Sequence, residues 1–293
     1  MKNSQFKHLI ELNLATIFLS TSGVLGKLIT LSATYTILMR CVVAVILIFL
    51  FERVRGNKPV INIKKDWLFF VKSGVLLGLH WATYFYAIQI SSVAVAVLSL
   101  FTFPIITTLL EPLFFKTKLS LFNAIGAAMV LVGIFFIIPD FDLSNKTTLG
   151  AFSGVFSALC FSVRNLLNKK YVGVYSSSTI MLYQLLVSII LLSPTLYFSD
   201  VHISISNAGY LFLLGFITTA VGQTMFVQSL KNFSAATASV ITSIQPVYGI
   251  LMAFLIIEER PAPQVIIGGS MILFTVFAEN IRQISLNKKM ESS

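Results

Sequence analysis

Charged residues are scarce in this chain. They make up 11% of its 293 residues, whereas 56% of the residues are hydrophobic. Soluble globular domains carry about 25% charged residues. Acidic residues are the scarcest, with 11 Asp and Glu against 21 Lys and Arg. Apolar stretches fill nearly the whole length, so this composition excludes a soluble catalytic domain.

Cysteine and histidine are also few, at two and three residues. Cys41 and Cys160 fall inside apolar stretches, which argues against a disulfide framework and against redox chemistry. No His and Cys spacing matches a metal site. Gly23, Gly26 and Lys27 lack the spacing of a phosphate-binding loop. We therefore expect no cofactor, no metal and no enzymatic activity.

The apolar residues form ten stretches, each close to the ~20 residues that a helix needs to cross a bilayer. The pattern predicts an all-α integral membrane protein with ten transmembrane helices. The stretches are residues 9–30, 34–51, 66–90, 92–115, 119–138, 148–168, 177–198, 208–229, 234–257 and 261–281.

Basic residues gather on one side of these stretches. Fifteen of the 21 lie at the two termini or after the second, fourth, sixth and eighth stretches, and two, Lys146 and Arg260, lie on the other side. The positive-inside rule then predicts an inner-membrane protein with both termini in the cytoplasm. We interpret the net charge of +10 as contact with anionic lipid and expect no nucleic-acid partner.

The chain carries an internal repeat at an offset of 142 residues. Residues 92–135 share 11 identities in 44 positions with residues 234–277, including the pairs Pro104 with Pro246 and Gly126 with Gly268. We predict two repeats, residues 1–141 and 142–293. Each has five spans, an odd number, so the second repeat is inverted. Inverted repeats are typical of secondary transporters, although duplication can also build a membrane scaffold.

Two matching segments carry a family resemblance. They are HWATYFYAIQISSVAVAVLSLFTFPIITTLLE, residues 80–111, and VQSLKNFSAATASVITSIQPVYGILMAFLIIEE, residues 227–259. With the five-plus-five plan and Arg40 in the second span, the chain resembles the drug/metabolite transporter superfamily, in particular its EamA-type members. The resemblance implies a gradient-coupled or facilitative carrier of small metabolites. Amino acids are the usual cargo of such carriers, and export is the usual direction.

Ionisable residues inside spans are costly and therefore candidate functional residues. Lys27 either meets a cargo carboxylate or extends its ammonium towards the interface. Arg40 is either a ligand or an anchor that pairs with a carbonyl or a glutamate. Arg164 is likewise a ligand or an anchor at an interface between helices.

Aromatic and amide residues complete the candidate cargo site. His80 and Tyr84 lie one turn apart, Trp81 is beside them, and Gln223 is the repeat equivalent of Trp81. His80 could also relay a proton, which would couple transport to protons. The remaining candidates, both in the ninth span, are Gln245 and Tyr248.

Pro104 and Pro246 fall in the middle of equivalent spans. A proline inside a helix removes one backbone hydrogen bond and frees a carbonyl. Paired interruptions in corresponding helices indicate a binding site, so we predict a gating role for both prolines.

These patterns predict a secondary transporter that moves small metabolites, in particular amino acids or related compounds, across the inner membrane by alternating access, with export as its direction. The expected partners are a small-molecule substrate and the lipid bilayer. The alternatives are a passive channel and a non-transporting scaffold.

Overall fold

Every secondary-structure element in the described residues is helical. A computed structural model describes residues 2–57, 59–116, 121–138, 140, 142–197 and 203–291. The α-helices are α1 Lys2–Leu28, α2 Ala33–Val54, α3 Ile63–Ile90, α4 Val93–Leu100, α5 Phe103–Phe115, α6 Leu121–Ile137, α7 Lys146–Tyr171, α8 Ser177–Leu192, α9 Ile205–Leu213, α10 Thr224–Ser229, α11 Ala235–Ile241, α12 Gln245–Ile257 and α13 Pro263–Glu291. A π-helix, Leu214–Gln223, joins α9 to α10, and 3₁₀ turns occupy Ser193–Leu196 and Thr242–Ile244.

The described helices account for the ten predicted spans. Seven helical segments are long and apolar enough to cross a membrane. The fifth, ninth and tenth predicted stretches coincide with shorter apolar helices, Ile125–Ile137, Thr242–Ile257 and Pro263–Thr275. Residues 119, 120 and 198 of the predicted stretches lie outside the described residues. The prediction of an all-α membrane protein with two inverted five-helix repeats is confirmed, and the boundary between residues 141 and 142 stays a prediction.

Three spans are not continuous α-helices. The fourth span breaks at Phe101 and Thr102 between α4 and α5, and the ninth contains the 3₁₀ turn Thr242–Ile244. The eighth consists of α9, the π-helix Leu214–Gln223 and α10. A run of apolar residues predicts the length of a span, but it carries no information on breaks in the backbone hydrogen bonding.

The prolines follow two of these breaks instead of causing a kink inside a helix. Pro104 and Pro246 lie in the first turn of α5 and of α12. The amide of a first-turn residue has no intrahelical partner, so proline is tolerated there. The expectation that each proline frees a carbonyl in mid-helix was wrong, although the paired interruption of the two spans is present.

The repeat is visible in the contacts as well as in the sequence. Lys27 Nζ donates to the carbonyls of Ile88 and Ser91, at 3.0 and 2.8 Å. Its counterpart Lys169 donates to Leu230 and Phe233, at 2.7 and 2.9 Å, and all three pairs of residues differ by 142 in number. Each ammonium satisfies carbonyls left without partners at the end of a helix.

Left-handed residues end equivalent helices in the two repeats. Lys116 after α5 and Glu258 after α12 have φ values of 54° and 55°. Ser92 and Ser234 accept a hydrogen bond from the amide three residues later in each repeat, which fixes where α4 and α11 begin.

Small residues set the distances between packed helices. A Cβ on Gly154 of α7 would lie 2.6 Å from Ser99 Cβ of α4, and a Cβ on Gly268 of α13 would overlap the Gly133 carbonyl oxygen of α6. Such faces allow helix backbones in a membrane to approach closely. This packing holds the two repeats around a common centre.

Candidate functional site

A small cavity lies at the centre of the molecule, between the two repeats. Its volume is about 30 Å³, room for roughly two water molecules at about 10–15 Å³ each. Helices from both repeats line it. The lining residues are Leu19, Ser22, Arg40, His80, Trp81, Tyr84, Leu100, Phe101, Phe103, Phe161, Gln223 and Gln245.

Arg40 is the charged residue in the cavity wall, and only 1% of its surface is exposed. Its Nε donates to Thr219 Oγ1, and its Nη2 donates to Thr218 Oγ1 at 3.0 Å. The guanidinium carbon lies 4.0 Å from the centre of the Trp81 ring, a cation–π distance. Nη1 has no hydrogen-bond partner among the described residues. The guanidinium is therefore held in place, and its buried Nη1 keeps an unused hydrogen-bond donor.

Arg164 is fully buried. It does not line the cavity itself but contacts Gln223, which does. Its Nε and Nη2 donate to Gln184 Oε1 at 2.9 and 2.8 Å, and its Nη1 donates to Gln223 Oε1 at 3.4 Å. Gln184 in turn donates to Asn168 Oδ1 at 2.6 Å. Neutral side-chain amides from three spans thus surround the buried guanidinium or extend its hydrogen bonds.

Neither guanidinium has an acidic partner in the part of the chain that the structure describes. The ion pairs found there, Lys7 with Glu11 and His8 with Glu11, lie near the start of α1. A buried cation is stable only when polar groups or an anion compensate its lost hydration. At Arg40 and Arg164, hydroxyl groups, amides and aromatic faces supply that compensation.

Aromatic rings form much of the cavity wall. His80 stacks on Phe161 with ring centres 4.6 Å apart, and its Nδ1 lies 2.7 Å from Ser157 Oγ. Phe161 also contacts Phe103 edge-on at 4.9 Å. Tyr84, 3% exposed, also lines the cavity. The cavity wall therefore combines one buried cation with several aromatic rings.

Six of the nine residues predicted to bind cargo meet in this cavity: Arg40, His80, Trp81, Tyr84, Gln223 and Gln245. Arg164 reaches it only through Gln223. Tyr248 is half-buried on α12 outside the lining, and Lys27 is occupied by two backbone carbonyls. The gating candidates Pro104 and Pro246 directly follow the lining residues Phe103 and Gln245.

Several residues of the candidate site were not predicted from the sequence. Thr218 and Thr219 hold Arg40, and Gln184 holds Arg164. Threonine is too common in membrane helices to be noticed on its own. Ser22, in the cavity wall, could have been found because it is the repeat equivalent of Arg164.

The π-helix Leu214–Gln223 connects the two arginine clusters. Thr218 and Thr219 contact Arg40, and Gln223 at its end contacts Arg164. π-helices are rare, and they occur frequently at functional sites. We therefore expect any movement of the eighth span to involve this segment.

A wider polar vestibule of about 650 Å³ opens on the face that carries the start of α1 and the end of α2. Glu11 lines the vestibule and Leu19 lines the cavity, so the two are separated by roughly 12 Å along α1 at 1.5 Å per residue. Leu12, Ala15 and Thr16, between them, are 0% exposed. On the eighth span the two lie closer together, because Gln223 lines the cavity and the next residue, Thr224, lines the vestibule.

Comparison with known proteins identifies the family. The profile of the EamA-like transporter family matches residues 9–138 and 148–279. The chain belongs to the EamA-like transporter family. These two matches cover most of the sequence, one in each half, and the protein is a multi-pass membrane protein of a transporter family.

Individual relatives of this EamA-like chain are distant. An uncharacterized transporter of Haemophilus influenzae is 27% identical over 51% of this chain and 50% of its own length. The uncharacterized transporter YyaM of Bacillus subtilis is 20% identical over 65% of each protein, and one from Archaeoglobus fulgidus is 27% identical over 66% and 68%. The chain thus spans about half to two thirds of these relatives. A crystal structure with 15% identity matches with a TM-score of 0.73, over 96% of this chain and 98% of that one, which shows a shared fold.

One contact between the repeats of this EamA-like protein involves a carboxylate. Glu259 accepts hydrogen bonds from the amides of Val93 and Ala94, both at 3.1 Å, at the start of α4. These amides have no partner inside the helix, and a negative charge there is favourable. In the first repeat, the equivalent position carries Thr117, which lies outside the described residues.

We expect Glu259→Ala to lower the free energy of unfolding by about 1–2 kcal/mol, the usual cost of losing a helix cap. Thermal unfolding of the purified protein in detergent measures the change. Glu258→Ala is the matched control, because Glu258 is exposed and makes no such bond. Equal unfolding temperatures for the two variants would contradict a capping role for Glu259.

Proposed function

We propose that this protein is a secondary transporter of small metabolites that carry a carboxylate, with amino acids and related compounds as the principal cargo. The observation that carries the proposal is Arg40, a buried cation in the cavity wall with an unpartnered Nη1 and no acidic partner among the described residues. A cargo carboxylate would supply the missing charge.

The energetics favour such a cargo. A cation at the centre of a bilayer costs about 2.5–3.5 kcal/mol on insertion scales. The hydroxyls of Thr218 and Thr219 and the Trp81 ring offset part of that cost. A carboxylate bound at Nη1 would add the attraction of opposite charges to the hydrogen bond, which a neutral acceptor cannot supply.

The rest of the cavity suits the remainder of a small metabolite. Trp81, Tyr84 and Phe161 offer apolar faces, and Gln245 offers an amide that can orient polar ends without adding charge. The lining contains no Asp or Glu. With a cation and no acidic residue in its lining, the cavity is better suited to bind the carboxylate of an amino acid than its ammonium group.

The cavity volume supports transport by alternating access. At about 30 Å³ the cavity is too small for an amino acid, so cargo binding requires the surrounding helices to separate. The vestibule of about 650 Å³ provides the route from one face. The residues that line it lie on the side predicted to be cytoplasmic, with both termini in the cytoplasm. We propose export across the inner membrane, the usual direction in the family that the chain resembles, with the vestibule as the entry for cargo.

Counterflow in liposomes tests this proposal. Vesicles containing the purified protein are loaded with one unlabelled L-amino acid at a time, and uptake of the same labelled compound is measured. We expect uptake that saturates and that rises when cargo is present inside. Uptake that increases linearly with concentration and ignores internal cargo would indicate the passive channel, and no uptake for any compound would indicate the scaffold.

A pH gradient across the same vesicles tests proton coupling. His80 lines the cavity and bonds Ser157, so it is the candidate for a proton carrier. Accumulation of cargo against its own gradient, driven by a pH difference, is expected for a coupled transporter. Counterflow without such accumulation would leave a facilitative carrier.

A further inference from the structure

The orientation of the Gln223 amide is fixed by its neighbour. Arginine only donates hydrogen bonds, so the group that Arg164 contacts at 3.4 Å must be the carbonyl oxygen of Gln223. The NH₂ group of the same amide is then turned away from Arg164. It donates to no group within the described part of the chain, and Gln223 lines the cavity.

The orientation of the Gln184 amide follows from Arg164 in the same way. Gln184 Oε1 accepts two of its N–H groups, which leaves the Gln184 NH₂ to donate to Asn168 Oδ1. In this hydrogen-bond network, the guanidinium of Arg164 only donates, and it therefore orients the side-chain amides of both Gln184 and Gln223. The hydrogen bonds therefore run in one direction, from Arg164 outwards, and one branch ends at the cavity.

We infer that Arg164 is a positioning residue that makes Gln223 a hydrogen-bond donor to the cargo and so sets the cavity's preference for carboxylates over neutral amides of the same shape. This inference rests on the proposed function. Arg40 Nη1 approaches the cargo carboxylate from the first repeat, and Gln223 Nε2 approaches it from the second. A carboxylate offers only acceptors, so it can satisfy both donors at once.

Acetate and acetamide are suitable probes, because they share a shape and differ in charge. Binding to the folded protein raises the unfolding temperature in proportion to RT ln(1 + [L]/Kd). Thermal unfolding is measured in detergent with each probe, and chloride at the same ionic strength is the reference. For the parent protein we expect acetate to stabilise and acetamide to have little effect.

Gln223→Glu replaces the hydrogen-bond donor at the cavity with an acceptor. We expect it to weaken acetate binding by at least tenfold, because it replaces an N–H donor with an acceptor of like charge. Gln264→Glu, an exposed position on α13, makes the same chemical change elsewhere and is expected to bind acetate like the parent. Gln223→Met, which removes the donor without adding charge, is the second variant should Gln223→Glu not fold.

The positioning role of Arg164 is tested by non-additivity. Arg164→Lys keeps the charge but loses the planar fork that holds both glutamines. We expect it to lower the acetate-to-acetamide preference in the parent and to cause no further loss in the Gln223→Met background. Equal losses in both backgrounds would mean that Arg164 acts only on the packing of its helix, and the inference would fail.

The outcomes also separate this inference from the proposed function. If Gln223→Glu binds acetate like the parent while Arg40→Met does not, the carboxylate site survives and the role of Gln223 is refuted. If the parent protein itself shows no preference for acetate over acetamide, the carboxylate site of the proposed function fails as well.

Discussion

Replacing Arg40 with methionine is expected to weaken acetate binding by about ten- to a hundredfold, because hydrogen bonds to charged groups contribute about 1.5–3 kcal/mol. Saturable counterflow is expected to disappear with it. The measurements are the acetate-induced rise in unfolding temperature and uptake by liposomes. This is the largest functional effect that the site predicts.

The same variant should keep its stability. Arg40 carries a desolvated charge with one unpartnered nitrogen, and burying such a charge costs several kcal/mol. Methionine fills much of the same volume without that cost, and Thr218 can still donate to the Leu214 carbonyl. We therefore expect an unfolding temperature equal to or above that of the parent, which separates loss of binding from loss of fold.

Lys72→Met is the control for Arg40→Met. Lys72 is an exposed cation on α3, so this change removes one positive charge without touching the cavity. Acetate binding is expected to stay at the parental value. A parental affinity in Arg40→Met, or an equal loss in both variants, would remove the basis for a carboxylate site at Arg40.

Gly268→Leu is expected to cause the largest loss of stability. A side chain there would overlap the Gly133 carbonyl oxygen and crowd Ile137 Cγ1, at 2.9 Å from the new Cβ. Overpacking usually costs about 1–3 kcal/mol, and a backbone neighbour cannot move aside as a flexible side chain does. We expect a lower unfolding temperature or loss of monodisperse protein in size-exclusion chromatography.

Ser270→Leu provides the comparison on the same helix. Ser270 is exposed on α13 and lines an apolar groove of about 400 Å³, which offers room for a larger side chain. Its unfolding temperature is expected to match that of the parent. If Gly268→Leu and Ser270→Leu unfold at the same temperature, close packing of α6 on α13 is not what stabilises this side of the molecule.

Much of the fold follows from the sequence, because bilayer thickness fixes the length of each span and duplication fixes its partner. The offset that relates Pro104 to Pro246 also relates Lys27 to Lys169, which bond equivalent carbonyls. That identity already indicated a shared structural role for the two lysines. The ligand role of Lys27 stays a prediction.

The sequence predicted several aromatic and amide residues that line the cavity, and their role as ligands stays a prediction. It did not predict the hydrogen bonds that hold the two arginines. Trp81 and Gln223 were found because they are repeat equivalents deep within spans. The partners of Arg40 could not be found, since Thr218 lies 178 residues away and the π-helix that presents it has no sequence signal. Hydrogen-bond register inside a helix depends on tertiary contacts that composition does not encode.

The π-helix has a thermodynamic consequence. One ten-residue segment holds Arg40 through Thr218 and Thr219 and meets Arg164 through Gln223, so its geometry is shared by both arginine clusters. A ligand that binds more tightly with the segment in one register must shift the segment towards that register. By reciprocity, the register must alter the affinity for that ligand by the same factor. If cargo binds in the cavity as proposed, its affinity and the geometry of the eighth span are therefore thermodynamically linked.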